Sequence, residues 1–116
     1  MIKVIALLKC KSGLSRQAFI DYYEKRHAPL IRSIAPQIVD YRRNFLIDEG
    51  AIVSPDAADR DFDVITELFF DDEAAYAAAM VLFTDPTHAA AIAADEENVF
   101  DRSQTRFYRV DEYRSL

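Results

Sequence analysis

Few side chains of this chain could move a proton near neutral pH: His27 and His88, beside six tyrosines and the single cysteine Cys10. His27 lies in YYEKRHAPL (residues 22–30), where a run otherwise built like a helix carries Pro29 two residues after an imidazole. Proline removes a backbone donor and kinks or ends a helix, so the carbonyl of Lys25 should lose its usual partner there. On a 3.6-residue wheel His27 falls between Tyr23 and Leu30, inside the apolar stripe, and should point to where helix meets strand. Two readings stay open. His27 is either a core histidine satisfied by its neighbours or an imidazole facing a pocket. His88 lies in TDPTHAAAI. With Asp85 as the helix cap, the dipole disfavours an imidazolium there while Asp85 favours it. His88 is a neutral base or a surface histidine in a first turn.

Tyr23, Tyr76 and Phe83 fall on buried helix faces and Tyr41 in mid-strand. They could wall a pocket for a small apolar ligand or simply fill a core. Glu67 stands in the middle of the strongest strand pattern, FDVITELFF (62–70). A buried carboxylate is costly unless paired, so an arginine partner is expected, Arg43 or Arg106. It reads as a structural ion pair before a catalytic acid, and it is also a candidate ligand contact.

Other chemistries are excluded by what the residues lack. Only Gly13 and Gly50 are glycines, so no phosphate-cradling loop can form, and no H-E-x-x-H spacing or nucleophile elbow occurs. A lone cysteine permits no intrachain disulfide and no Cys-rich metal site. No cofactor and no metal is expected. A net charge of −6, with basic residues scattered among acidic ones, argues against nucleic acid and against an anionic membrane surface. The apolar start MIKVIALLKC is too short to span a bilayer and lacks a signal-peptide cleavage pattern, so a cytoplasmic location is expected.

The elements that must position these groups follow from periodicity. Strands are expected at 2–10, 38–47, 62–70 and 104–113. One helix should run from an N-cap at Ser15 to Pro36, one from Asp71 or Asp72 with Tyr76, Ala79, Met80 and Phe83 inward, and one from Asp85 to about Asn98. The order β-α-β-β-α-β, with the second helix split, predicts a single ferredoxin-like α+β domain over 1–116. Its four-stranded antiparallel sheet carries the helices on one face. In the first strand Val4 and Ala6 alternate with Ile5 and Leu7; in the third, Val64 and Leu68 alternate with Ile65 and Phe69. Both faces are apolar, yet helices can cover only one. A second copy packed sheet against sheet, on a two-fold axis, is the expected cover.

GLSRQAFIDYYEKRHAPLI after an apolar strand, and later FFDDEAAYAAA with DPTHAAAIAADEENVFD, resemble the EthD-like family of dimeric α/β-barrel proteins. The first motif matches F-x-x-Y-(Y/W)-x-x-x-H-x-P-L and the second a D-E-x-x-F-x-D helix end. The resemblance implies a ferredoxin-like protomer, a sheet-to-sheet homodimer and a cavity between sheet and helices. Relatives in that superfamily act without cofactors on small, often cyclic molecules. His27 and Tyr41 resemble a histidine and a tyrosine of lactone isomerases, and His88 resembles the histidine of plant-type polyketide cyclases. Leu68 and Leu82 stand where those enzymes have a cysteine and a tyrosine, so neither reaction carries over. Two functions follow as expectations. One is a cofactor-independent lyase, isomerase or monooxygenase in which His27 or His88 moves a proton and Tyr41 holds an oxyanion. The other is a non-catalytic protein that holds a small hydrophobic ligand for a partner enzyme.

Overall fold

The computed structural model describes residues 1–116. Strands β1 (Ile2–Leu8), β2 (Ile38–Phe45), β3 (Val64–Phe70) and β4 (Arg106–Arg109) form one antiparallel sheet in the order β2-β3-β1-β4. Helices α1 (Arg16–Tyr22) and α2 (Ala28–Ile34) join β1 to β2, and α3 (Glu73–Thr84) and α4 (Pro86–Glu96) join β3 to β4. This is the ferredoxin-like α+β arrangement expected from the element order. No single helix is long and apolar enough to cross a membrane.

Side-chain alternation divides the sheet. Val4, Ala6 and Leu8 of β1 and Val64, Thr66, Leu68 and Phe70 of β3 are buried under the helices. Val4 lies opposite Leu68 and Ala6 opposite Thr66, so both strands present their smooth apolar rows to the same layer. The starts of α1, α3 and α4 each carry their own acceptor. Ser15 accepts from Ala18 N at 3.1 Å, Asp72 from Ala75 N at 2.8 Å and Asp85 from His88 N at 3.2 Å. Those bonds satisfy donors that the first turn leaves unpaired.

The break expected at Pro29 is displaced toward the N-terminus. Residues Tyr23–His27 form a π-turn, and the Ala28 N–H reaches back five residues to the Tyr23 carbonyl. In a regular helix the Pro29 ring would collide with the carbonyl of Lys25; widening the preceding turn relieves that clash and lets α2 continue to Ile34. The wider turn also sets direction. Phe19, Tyr23, His27 and Ile31 are all buried and four residues apart. In an ideal helix each four-residue step overshoots by about 40°, so the row would drift by about 120°. The π-turn absorbs that drift and keeps His27 over the sheet.

The opposite sheet face departs from expectation at Glu67. Its partner is Lys3, with Nζ to Oε1 at 2.8 Å, rather than Arg43 or Arg106. Arg43 lies opposite Thr66 and therefore faces the helices, where it pairs with Glu24; Arg106 faces Asp61 at 3.5 Å. Lys3 sits on the same face as Glu67, one diagonal step along β1 from Ile5. Strand β4 is also shorter than the expected 104–113. Residues 102–104 form a 3₁₀ turn, and beyond Arg109 a single backbone bond, from Val110 N to Lys3 O, joins the tail to β1.

Helix α4 depends on its cap. Asp85→Ala should cost about 1 kcal/mol and lower the thermal midpoint by a few degrees, read by circular dichroism.

Candidate functional site

A cleft of about 270 Å³ lies between the helix layer and the sheet. Ala6, Leu8, Leu68 and Phe107 form its apolar floor, and Met80 and Phe83 of α3 and Ile92 of α4 form its wall. Six polar residues line it: Tyr23 and His27 from the π-turn, Tyr41 from β2, Thr66 from β3, Glu96 from α4 and Thr105 just before β4.

His27 is 4 % exposed and stands edge-on between the rings of Tyr23 and Phe100, at 5.0 and 4.9 Å. Its Nδ1 is 2.7 Å from Oδ2 of Asp95. Burial pushes the imidazole below its ordinary value, and the Asp95 carboxylate partly opposes that shift. The ring is therefore neutral at pH 7, its Nδ1–H donating to Asp95. That tautomer leaves Nε2 with a free lone pair. Asp95 is itself held. Its Oδ1 accepts from the Tyr22 hydroxyl at 2.9 Å, and that hydroxyl accepts from Asn98 Nδ2 at 3.1 Å. A base oriented by a third group is the arrangement proton-transfer sites use.

The tyrosines form a second, neutral cluster. The Tyr23 hydroxyl lies 2.6 Å from Thr66 Oγ1 and 3.3 Å from the Tyr41 hydroxyl. Burial pushes the Tyr23 phenol up to about 12 and raises Tyr41 as well, so both remain O–H donors at any ordinary pH. Arg43 fixes the cluster from outside the cleft. It forks onto Glu24 at 2.8 and 2.6 Å, donates to the Tyr41 carbonyl at 2.8 Å and stacks 4.7 Å from the Tyr41 ring. The π-turn and β2 are thus tied together directly behind the site.

The structure brings together His27, Tyr41, Tyr23 and Phe83 of the residues expected from sequence. The other three lie elsewhere. His88 donates its Nδ1–H to the Leu82 carbonyl at 3.1 Å, closing the joint between α3 and α4 outside the cleft. Tyr76 packs on Phe70 and under Arg109, and Glu67 is on the far side of the sheet. Thr66 and Glu96, which line the cleft, and Asp95 and Tyr22, which hold His27 from behind, do not stand out in the sequence. One signal pointed to the acidic pair. Asp95 and Glu96 end α4 with no basic residue in its last turn, where the helix dipole disfavours carboxylates, and such local conflicts mark sites with another purpose.

Comparison with known proteins supports the fold and the family. The EthD domain model matches residues 11–103. A crystal structure of an ethyl tert-butyl ether (EthD) family protein from Bacillus halodurans is similar, with 25% identity and a TM-score of 0.65 over 97% of this chain and 99% of that one. A dimeric ferredoxin-like protein from Thermobifida fusca shares the fold at 13% identity and TM-score 0.54, over 94% and 88% of the two chains. SnoaB, a cofactor-independent oxygenase from Streptomyces nogalater, shares it at 14% identity and TM-score 0.57, over 99% and 95%. No curated protein matches the sequence.

The lowered His27 value has a consequence for stability. The unfolded chain binds this proton more readily than the folded one, so stability is full above the ordinary value of 6.5 and is lost as pH falls below it. Urea unfolding of the wild type and His27→Gln between pH 7.5 and 5.0 checks this. The wild type should lose stability toward acid more steeply than the variant, by at most about 1.4 kcal/mol per pH unit.

Proposed function

The chain belongs to the EthD domain family, and from that premise we propose that its cleft carries out cofactor-independent proton transfer on a small hydrophobic or aromatic metabolite. Lyase, isomerase and cofactor-independent monooxygenase reactions can all begin by removing a proton from a weakly acidic C–H or O–H. The observation that carries the reading is the His27–Asp95 pair, which supplies a neutral base whose free Nε2 belongs to a ring lining an apolar cleft. Tyr41, kept protonated by burial, donates to the oxygen on which negative charge develops. A cleft of about 270 Å³ admits one or two fused rings, just below the roughly 300 Å³ where ligand pockets commonly begin. That an oxygenase working without a cofactor shares the fold agrees with this chemistry.

The accessory reading has its own support, because Tyr23, Tyr41 and Thr66 satisfy one another and need no substrate to do so. A cleft used only for holding a ligand would bind saturably and leave it unchanged.

The working unit in this proposal is a homodimer joined sheet to sheet. Ile5, Leu7 and Ile65 lie on the face that no helix covers, and Lys3 and Arg42 flank Phe69 there at 5.3 and 4.9 Å from its ring. Ile47, Ile52, Val53 and Tyr113 project from the β2–β3 loop and the C-terminal tail, all largely exposed in the protomer. The dimeric neighbour from Thermobifida fusca is consistent with this pairing. The domain is taken as 1–116, since β1, outside the matched 11–103, is hydrogen-bonded on both sides within the sheet.

Deuterium exchange tests the chemistry without knowledge of the substrate. With 2-tetralone, a neutral bicyclic ketone, in D₂O, the wild type should accelerate exchange of the α-protons seen by proton NMR. His27→Gln should lose on the order of 10² or more of that acceleration with little change in thermal midpoint. Saturable binding of the ketone with no exchange would favour the accessory reading. Sedimentation velocity tests the assembly: the wild type should run as a dimer and Ile5→Lys as a folded monomer.

A further inference from the structure

Glu96 is a mostly buried carboxyl that the scheme above leaves without a role. It follows Asp95 in the last turn of α4, and the two point differently, because successive helical residues are about 100° apart. Asp95 reaches His27, while Glu96 lines the cleft. No other carboxyl lines it, and neither does any lysine or arginine. The Glu96 side chain is 14% exposed. Arg102, which is not among the residues lining the cleft, approaches its Oε1 at 3.5 Å.

From this placement we infer that Glu96 is the proton donor of the cleft, forming with His27 a base–acid pair suited to a neutral carbonyl compound with an acidic neighbouring C–H. The inference rests on the base reading of His27 and adds the substrate class. A carboxylate facing an apolar cleft with no cation in it is costly, and a carboxylic acid is not. Burial raises the Glu96 value, Asp95 and Glu97 add to the rise, Arg102 opposes it, and His27 lines the same cleft as a neutral ring. Environments that move a base down and an acid up assign the two roles. With no cation lining the cleft, an anionic ligand would find no counter-charge, so the substrate's reacting part is neutral.

The step balances within these groups. Nε2 of His27 takes the proton from the carbon beside the carbonyl, and the C–H electron pair becomes the new C=C bond. The carbonyl π pair moves to oxygen, which takes the proton of the Glu96 carboxyl while Tyr41 hydrogen-bonds to it. The products are an enol, an imidazolium and a carboxylate, with no change in net charge and no oxidant or reductant. Return of a proton to either end of the enol system gives exchange or isomerisation.

The 2-tetralone exchange assay tests this when repeated with E96Q and E96A from pH 5 to 9. Glutamine keeps a hydrogen-bond donor of the same shape but cannot give up a proton. Both variants should exchange on the order of 10² more slowly with folding unchanged by circular dichroism. The wild-type rate should fall on the alkaline side as Glu96 ionises, and that limb should vanish in E96Q. E96Q or E96A exchanging at the wild-type rate while His27→Gln is inactive would overturn the inference and leave His27 as base. An alkaline limb that persists unchanged in E96Q would also overturn it. Absence of exchange by the wild type would overturn the base reading and this inference together.

Discussion

The 2.7 Å bond between His27 Nδ1 and Asp95 Oδ2 is the interaction on which the site depends. Alone, a buried imidazole has no preferred tautomer and no fixed plane. A carboxylate on one nitrogen settles both, since only the Nδ1–H form can donate to it and the other nitrogen must then carry a lone pair. The bond spans helices 68 residues apart in sequence, and both ends are anchored. Tyr22 and Asn98 hold the aspartate, while the Tyr23 and Phe100 rings hold the imidazole edge-on.

Much of the surrounding architecture serves that bond. The π-turn places His27 on the same line as Phe19, Tyr23 and Ile31, and the Glu24–Arg43 fork ties the turn to β2. A π-turn is an irregularity that helices carry where a site needs it. Here it also accommodates Pro29 without ending the helix. On the other side, Asp85 starts α4, and Val99 and Phe100, both buried, dock its far end against the core. The acidic last turn is thereby held over the sheet although it works against the helix dipole.

The fold was legible because it is written in short periods. Alternation in residues 2–10 and 62–70 gave the two faces of the sheet, and Ser15, Asp71 or Asp72, and Asp85 marked helix starts, which the structure places at Ser15, Asp72 and Asp85. His27 and Tyr41 were legible as candidates because a proline beside a histidine and a tyrosine in mid-strand are local features. Asp95 was not, since its role exists only once α4 crosses the π-turn, and nothing near residue 95 names a partner at residue 27. The positions of Glu67 and His88 relative to the cleft were hidden for the same reason. Each has a plausible chemical character, but strand register sends Glu67 to the far face and the α3–α4 joint turns His88 to a carbonyl.

The most direct test of the account is the tautomer of His27, measured by nitrogen-15 NMR on the protein at pH 7. The account predicts a neutral ring with a protonated Nδ1 and a bare, acceptor-type Nε2, and a loss of that fixed preference in Asp95→Leu. An imidazolium, or a ring protonated at Nε2 in the wild type, would contradict it, because neither leaves a base facing the cleft.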